Sequence, residues 1–405
     1  MNEISSLGLI LLLALLAGHL TQVVRMPEVT GYILAGVALG PSALGWVTLE
    51  NLHALQALSE VALGLILFSI GSVFEYRLLL RSGMRILKLT LIESCLAAVL
   101  VFFAMVVLGL PWQAALLLGA MSIETAPAST LMVIRECNGR GPLSDTLLGV
   151  IAINNILCLT AFGLAGAAID MASAYERSEP FATALYVSIF PLFWQLLGSA
   201  ALGFLTGLLL AGWARQVSEK GEMLILLAGS LLFCVGVARA LDLSSMVASL
   251  AVGATMVNLS ARSRSLFRAL SSTDPPFYAI FFVIAGADLD LSLLPQIGLL
   301  GLGYVAARLT GKFLGARIGA RHAQLDPKVR RFLGFALLAQ AGLAVGLMIA
   351  AQQRFPEYAD TIKTVVLSAV AVFEMMGPIS ARFAIMRAGE SALNEAKSDS
   401  IWALG

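Results

Sequence analysis

The chain has 405 residues, of which 59% are hydrophobic and only 13% charged. A soluble domain carries roughly 25% charged residues, so this chain has about half the charge that a water-facing surface needs, and disorder, a collagen repeat and a disulfide scaffold are excluded with it. Lys and Arg number 26 against 25 Asp and Glu, a net charge of +1 that leaves no basic surface for nucleic acid; what remains is an all-α polytopic membrane protein, because helices satisfy their backbone groups internally in a bilayer.

A crossing needs about 20 mostly apolar residues. Thirteen spans are predicted on that rule, over 5–24, 28–46, 55–76, 86–109, 112–135, 143–170, 181–213, 222–239, 243–260, 274–291, 295–316, 331–352 and 362–386. The first lacks a basic n-region and a small-residue cleavage pattern, so it reads as a span and not a signal peptide. His19, near its end beside Gln22, reads as a hydrogen-bonded interface histidine. The fourth span carries Glu93. The fifth is interrupted over Ser122-Ile123-Glu124-Thr125-Ala126-Pro127, where Pro127 removes a backbone donor. The sixth carries Asn154-Asn155, two amides that are costly in an apolar helix unless hydrogen-bonded. The seventh is long and contains Pro191, which predicts a tilt or kink. The eleventh carries Arg308 and, one turn on, Lys312 flanked by Gly311 and Gly315. The twelfth is interrupted around Gln340-Ala341-Gly342, and the thirteenth carries Glu374. A short polar tail follows, with no phosphate loop, so ATP-driven pumping is not expected. The cysteines (Cys95, Cys137, Cys158, Cys234) have no metal or redox spacing and read as small core residues.

Thirteen spans put the termini on opposite sides. Twenty of the 26 Lys and Arg residues fall on one set of alternate segments and four on the other, with Arg308 and Lys312 inside a span. The positive-inside rule then sets the N-terminus outside and the C-terminus in the cytoplasm.

The two halves echo each other. GLILFSIGSVFEYRLL (64–79) resembles AIFFVIAGADLDLSLL (279–294), and ETAPASTLMVI (124–134) resembles QAGLAVGLMIA (340–350), at offsets of 215 and 216. The third span thus matches the tenth, and the fifth the twelfth. Seven spans separate each pair, so the repeats are inverted, a secondary-transporter architecture in which paired helix interruptions mark the binding site. Glu124 stands opposite Gln340 in that pairing.

Buried charge costs roughly 2.5–3.5 kcal/mol per residue on insertion scales, so each case needs a reason. Glu124, at a break, can hold a cation alongside unwound carbonyls or hold a proton instead, and that choice is the physical basis of antiport; the alternative is a fixed salt bridge to Lys312 or Arg308. Lys312 is too deep to snorkel and needs a carboxylate, as a brace or as a proton carrier. Glu93 and Glu374 read as bracing groups, paired with Arg308 or capping broken-helix amides. Glu60, Asp242, Asp288 and Asp290 sit near span ends and are expected to reach water.

Six stretches in order carry a resemblance: MPEVTGYILAGVALGP (26–41), LGLILFSIGSVF (63–74), TAPASTLMVIRE (125–136), ARLTGKFLGA (307–316), LLAQAGLAVGL (337–347) and FEMMGP (373–378). The chain resembles, over nearly its whole length, the second branch of the monovalent cation/proton antiporter superfamily, which contains bacterial sodium/proton antiporters and the membrane domains of potassium-efflux systems. That resemblance implies a homodimer in the lipid of a bacterial inner membrane. It implies a scaffold from 1–76 and 222–291, a transport core from 86–170 and 295–390 with crossed discontinuous helices, a linker helix over 181–213 and a cytoplasmic tail over 391–405. It implies an elevator mechanism, with Na⁺ or K⁺ and H⁺ as transported substrates and no cofactor.

The family carries an ion-binding aspartate in its sixth span, where this chain has Asn154-Asn155. Glu124, where the family usually has a small or hydroxyl residue, is therefore expected to replace it as carrier and to pair with Lys312 in one state. Thr125, Asn154, Asn155 and Lys312 are expected in the ion site, with Glu124 and Asn155 as cation ligands and Ser122, Pro127, Arg308, Gln340 and Glu374 in support. Two other readings stay open: a transporter of a small anion that uses Lys312 and Arg308, and a non-transporting homologue acting as sensor or scaffold.

Overall fold

The computed structural model describes residues 3–24, 26–76, 83–176, 190–217, 219–260, 262–271, 274–289 and 298–391. Arg25, Arg77, Arg81, Arg177, Asp290 and Lys397, the start of the predicted linker (181–189), the end of the second repeat arm (290–294) and the tail over 392–405 lie outside the described residues.

The described residues are helical throughout and contain no strand. In chain order the helices are α1 (Glu3–Val23), α2 (Glu28–Leu39), α3 (Leu49–Gly71), α4 (Met84–Val107), α5 (Trp112–Met121), α6 (Pro127–Glu136) and α7 (Pro142–Glu176). Then come α8 (Phe190–Trp213), α9 (Lys220–Ala240), α10 (Ser245–Leu259), α11 (Ser263–Ser271) and α12 (Asp274–Ala287). The last four are α13 (Gly298–His322), α14 (Pro327–Ala336), α15 (Gly342–Arg354) and α16 (Ala359–Arg387). Six of them, α1, α4, α7, α8, α9 and α16, are long and apolar enough to cross a bilayer by length and composition, and five shorter apolar helices accompany them. In α8 the turn over Trp194–Gly198 is π-helical, three residues past Pro191.

Two predicted spans are each a pair of short helices. The chain leaves the helix after Met121 and re-enters at Pro127, with Ala126 extended at φ −61° and ψ 116° and Pro127 at the first helical position, where its missing N–H costs nothing. It leaves again after Ala336 and re-enters at Gly342. The two breaks meet: the Ala126 N–H donates to the Ala339 carbonyl at 3.0 Å.

The tightest helix pair sets the position of the charged residues. α13 lies against α4 along Gly311, Gly315 and Gly319. A Cβ on Gly315 would stand 2.7 Å from Glu93 Cα, and one on Gly311 2.5 Å from Ala97 Cα. The backbones therefore touch, as small-residue stripes allow in membrane helices, and Lys312 comes level with Glu93. Helices α4, α5, α7 and α13–α16 pack as one group, and α1–α3, α8–α10 and α12 as another. The groups meet where α6 lies against α2 and α3, and where α16 lies against α2. Cys137, Cys158 and Cys234 are buried, whereas Cys95 is exposed on the outer face of α4, so only three of the four cysteines fill the core.

Candidate functional site

The two breaks leave helix ends inside the protein, and each end needs a partner. Arg308, fully buried, serves both C-terminal ends at once. Its Nε donates to the Ser122 carbonyl at 3.1 Å, Nη1 to Leu338 at 2.8 Å, and Nη2 to Glu124 at 2.6 Å and Ala339 at 3.4 Å. Its guanidinium also lies over the Phe373 ring, 4.3 Å from the centroid. Five donors in a planar fork suit it to this task better than a lysine. Gln340 finishes the α5 end by donating to the Met121 carbonyl at 3.0 Å, and its amide also donates to the Tyr304 hydroxyl at 3.0 Å. Ser122 Oγ bonds the Gly119 carbonyl at 2.7 Å, and Thr125 Oγ1 donates to Leu337 at 3.3 Å.

The positive end of α15 faces Glu124. Its carboxylate accepts the Ala341 N–H at 3.2 and 3.3 Å, and the side chain is wholly buried. An acid at a helix N-terminus is favoured by the dipole.

Lys312 has a different carboxylate from the one expected. Its Nζ lies 2.7 Å from Glu93 Oε1, with both side chains fully buried. The same ammonium donates to the Ile123 carbonyl at 2.5 Å and to Thr125 Oγ1 at 3.0 Å. The expected Glu124–Lys312 pair is thus replaced by Glu93–Lys312, because the glycine stripe of α13 abuts Glu93 while Glu124 is drawn to the amide of α15. Glu93 does not pair with Arg308 or cap a broken helix.

Asn154 and Asn155 have separate duties. The Asn154 amide donates to Glu93 Oε2 and Ser94 Oγ, each at 3.1 Å. The Asn155 amide donates to the Thr125 carbonyl at 3.2 Å and to Ile151 at 2.8 Å. Their carbonyl oxygens have no hydrogen-bond partner among the described residues. Asn155 borders a tight crevice between the two helix groups, against Leu67, Met246, Leu250 and Leu343. Glu374 neither pairs nor caps: it is buried, and neither carboxyl oxygen has a hydrogen-bond partner among the described residues.

Several groups escaped the sequence reading. A crevice of about 450 Å³ between the helix groups is lined by Phe74, Asp145, Ile153 and Asp326. At the same end of the bundle Glu136 accepts the Glu28 N–H at 2.9 Å and the Arg382 guanidinium at 2.7 Å, and Arg382 also donates to the Met26 carbonyl at 3.0 Å. Glu136 lies just past the predicted fifth span, and burial raises its carboxyl above the ordinary value. Glu390 accepts the amides of Leu143 and Ser144 at 2.7 and 2.8 Å, fastening the chain after α16 to the start of α7. Only the Glu136-Arg382 pair had a signal, as an acid just past one apolar run and a base near the end of the last. Near the span ends Glu60 pairs with Arg239 at 3.0 Å, and His19 Nδ1 bonds the Leu15 carbonyl at 2.8 Å.

A family profile described as "Sodium/hydrogen exchanger, transmembrane" matches residues 8–386. The ammonium/H⁺ antiporter subunit AmhT of Alkalihalophilus pseudofirmus is 23% identical, over 83% of each chain. The Na⁺/H⁺ antiporter of Enterococcus hirae is 24% identical over 87% of this chain and 90% of its own. A glutathione-regulated potassium-efflux protein of Haemophilus influenzae is 25% identical over 95% of this chain but only 62% of its own. Among solved structures, a sodium proton antiporter from Methanocaldococcus jannaschii superposes with a TM-score of 0.75 over 96% of this chain and 97% of that one, at 17% identity.

Proposed function

The chain belongs to the sodium/hydrogen exchanger family of integral membrane transporters, and from that premise we propose that it exchanges Na⁺ or K⁺ for protons across a bacterial inner membrane. It crosses the bilayer thirteen times as two inverted six-helix repeats joined by α8, with the N-terminus outside. The α4–α7 and α13–α16 group is the transport core, which slides as an elevator against a scaffold of α1–α3, α9, α10 and α12 in a homodimer. The crevice lined by Asp145 and Asp326 opens to the cytoplasm, and its carboxylates draw cations to the core. Glu124 is the carrier, holding cation or proton at the 122–126 break, beside the side-chain carbonyl of Asn155, unpartnered among the described residues.

One observation supports the cation reading above the others: both buried cations of the core are already engaged. Lys312 is neutralised by Glu93, and Arg308 is bound to four backbone carbonyls. Glu124 and Glu374 are left as further acids, so the core has no positive excess to attract an anion. Purified protein in liposomes holding a pH gradient tests this: Na⁺ or K⁺ added outside discharges the gradient if the reading holds, and silence toward every monovalent cation overturns it.

A further inference from the structure

Glu374 is the buried ionisable group that the site as described does not use. It is 1% exposed, and neither carboxyl oxygen meets a hydrogen-bond donor among the described residues. Its backbone is equally unusual. Pro378, four residues on inside continuous α16, has no N–H to give the Glu374 carbonyl. The Glu374 carbonyl therefore lacks its ordinary helical donor as well.

The location of Glu374 ties it to the break. Gly377, one turn further along the same face, lies so close to the 337–341 segment that a Cβ there would stand 2.5 Å from Ala339 Cα. α16 also packs along α15, whose N-terminal amide, Ala341, holds the Glu124 carboxylate, so the two acids converge on one break. The nearby cations offer Glu374 nothing by direct contact: Arg308 turns its donors to carbonyls and its face to Phe373, and Lys312 is bound to Glu93. Two buried carboxylates that feel each other cannot both stay ionised without a positive charge between them.

We propose that Glu374 and Glu124 form a two-carboxylate site at the start of α15, in which Glu374 holds a proton that it yields when a monovalent cation binds. This rests on the antiport reading and adds a second titrating acid to it. Glu374 would be a ligand, its carboxylate offering oxygens from α16 while Glu124 offers them from the opposite break. The Glu93–Lys312 pair would remain a brace, separate from the exchange.

The test uses detergent-purified full-length protein in weak buffer, with proton release followed by a pH dye on addition of NaCl or KCl. Wild type is expected to release protons, and Glu374→Gln to release about one fewer per cation bound, with weaker cation binding. Because Glu374→Gln could fail to fold, native protein is also treated with a hydrophobic carbodiimide, which attacks protonated carboxyls in apolar surroundings. Mass spectrometry should find the adduct on Glu374, suppressed by the active cation. Equal proton release and cation affinity in wild type and Glu374→Gln, or no cation-protected adduct on Glu374, would overturn the proposal while leaving antiport standing. No cation-dependent proton release from wild type would instead overturn antiport itself, and this proposal with it.

Discussion

Lys312 and Glu93 form a fully buried ion pair, 2.7 Å from Nζ to Oε1, between α13 and α4. Removing one member of such a pair leaves an unpaired charge in apolar surroundings. Glu93→Gln or Lys312→Met alone should therefore cost about 3–5 kcal/mol of stability, whereas the double variant should recover most of it. Thermal unfolding in detergent, run as a double-mutant cycle, checks this; additive losses in the double variant would mean the two side chains do not act as a pair.

The pair exists because two backbones touch. Gly315→Ala places a methyl group 2.7 Å from Glu93 Cα, where neither helix has a flexible side chain to give way. The expected cost is about 1–3 kcal/mol, with lowered transport. Gly346→Ala in α15 meets nothing within 4 Å and should be neutral or slightly stabilising. Equal melting temperatures for the two variants would contradict the close approach of α4 and α13.

Arg308 holds the two breaks through geometry more than through charge. Arg308→Lys keeps the charge but reaches at most one or two of the four carbonyls. Losing two charge-assisted hydrogen bonds predicts a loss of at least about 3 kcal/mol and near-complete loss of transport. A variant with wild-type exchange rates would show that the fork is dispensable.

Glu136 makes stability depend on pH. Burial raises its folded value above the ordinary 4.5, against the opposing pull of the Glu28 amide and the Arg382 guanidinium, with the Glu28 charge adding to the rise. A raised folded value means the folded state holds the proton more tightly. Its contribution is full below the ordinary value and is lost as pH climbs through the raised one. Across that window wild type should lose stability relative to Glu136→Gln, measured by melting from pH 4 upward. Parallel curves would contradict the assignment.

Much of this arrangement was legible in the chain. Pro127 and the Gln340-Ala341-Gly342 run marked the places where helices stop, because proline and glycine act locally. Glu124, Lys312 and Arg308 were conspicuous because charge in apolar runs is costly wherever it points. The partner of Lys312 was not legible. Three acids, Glu93, Glu124 and Glu374, sit in separate apolar runs, and the choice among them is made by helix packing. Gly311 and Gly315 beside Lys312 signalled a close neighbour without saying which helix it was. Glu374 looked like a brace for the same reason: only the folded chain leaves its oxygens without a donor.

The central claim is that Glu124 carries the exchange while Glu93 braces Lys312. The most direct test is Na⁺-, K⁺- or Li⁺-driven discharge of a pH gradient in proteoliposomes, comparing wild type, Glu124→Gln and the Glu93→Gln/Lys312→Met double variant. Discharge by wild type and the double variant, with none by Glu124→Gln, is the predicted result. Exchange that survives Glu124→Gln, or that vanishes only when the Glu93–Lys312 pair is removed, would place the carrier at the pair and contradict the account.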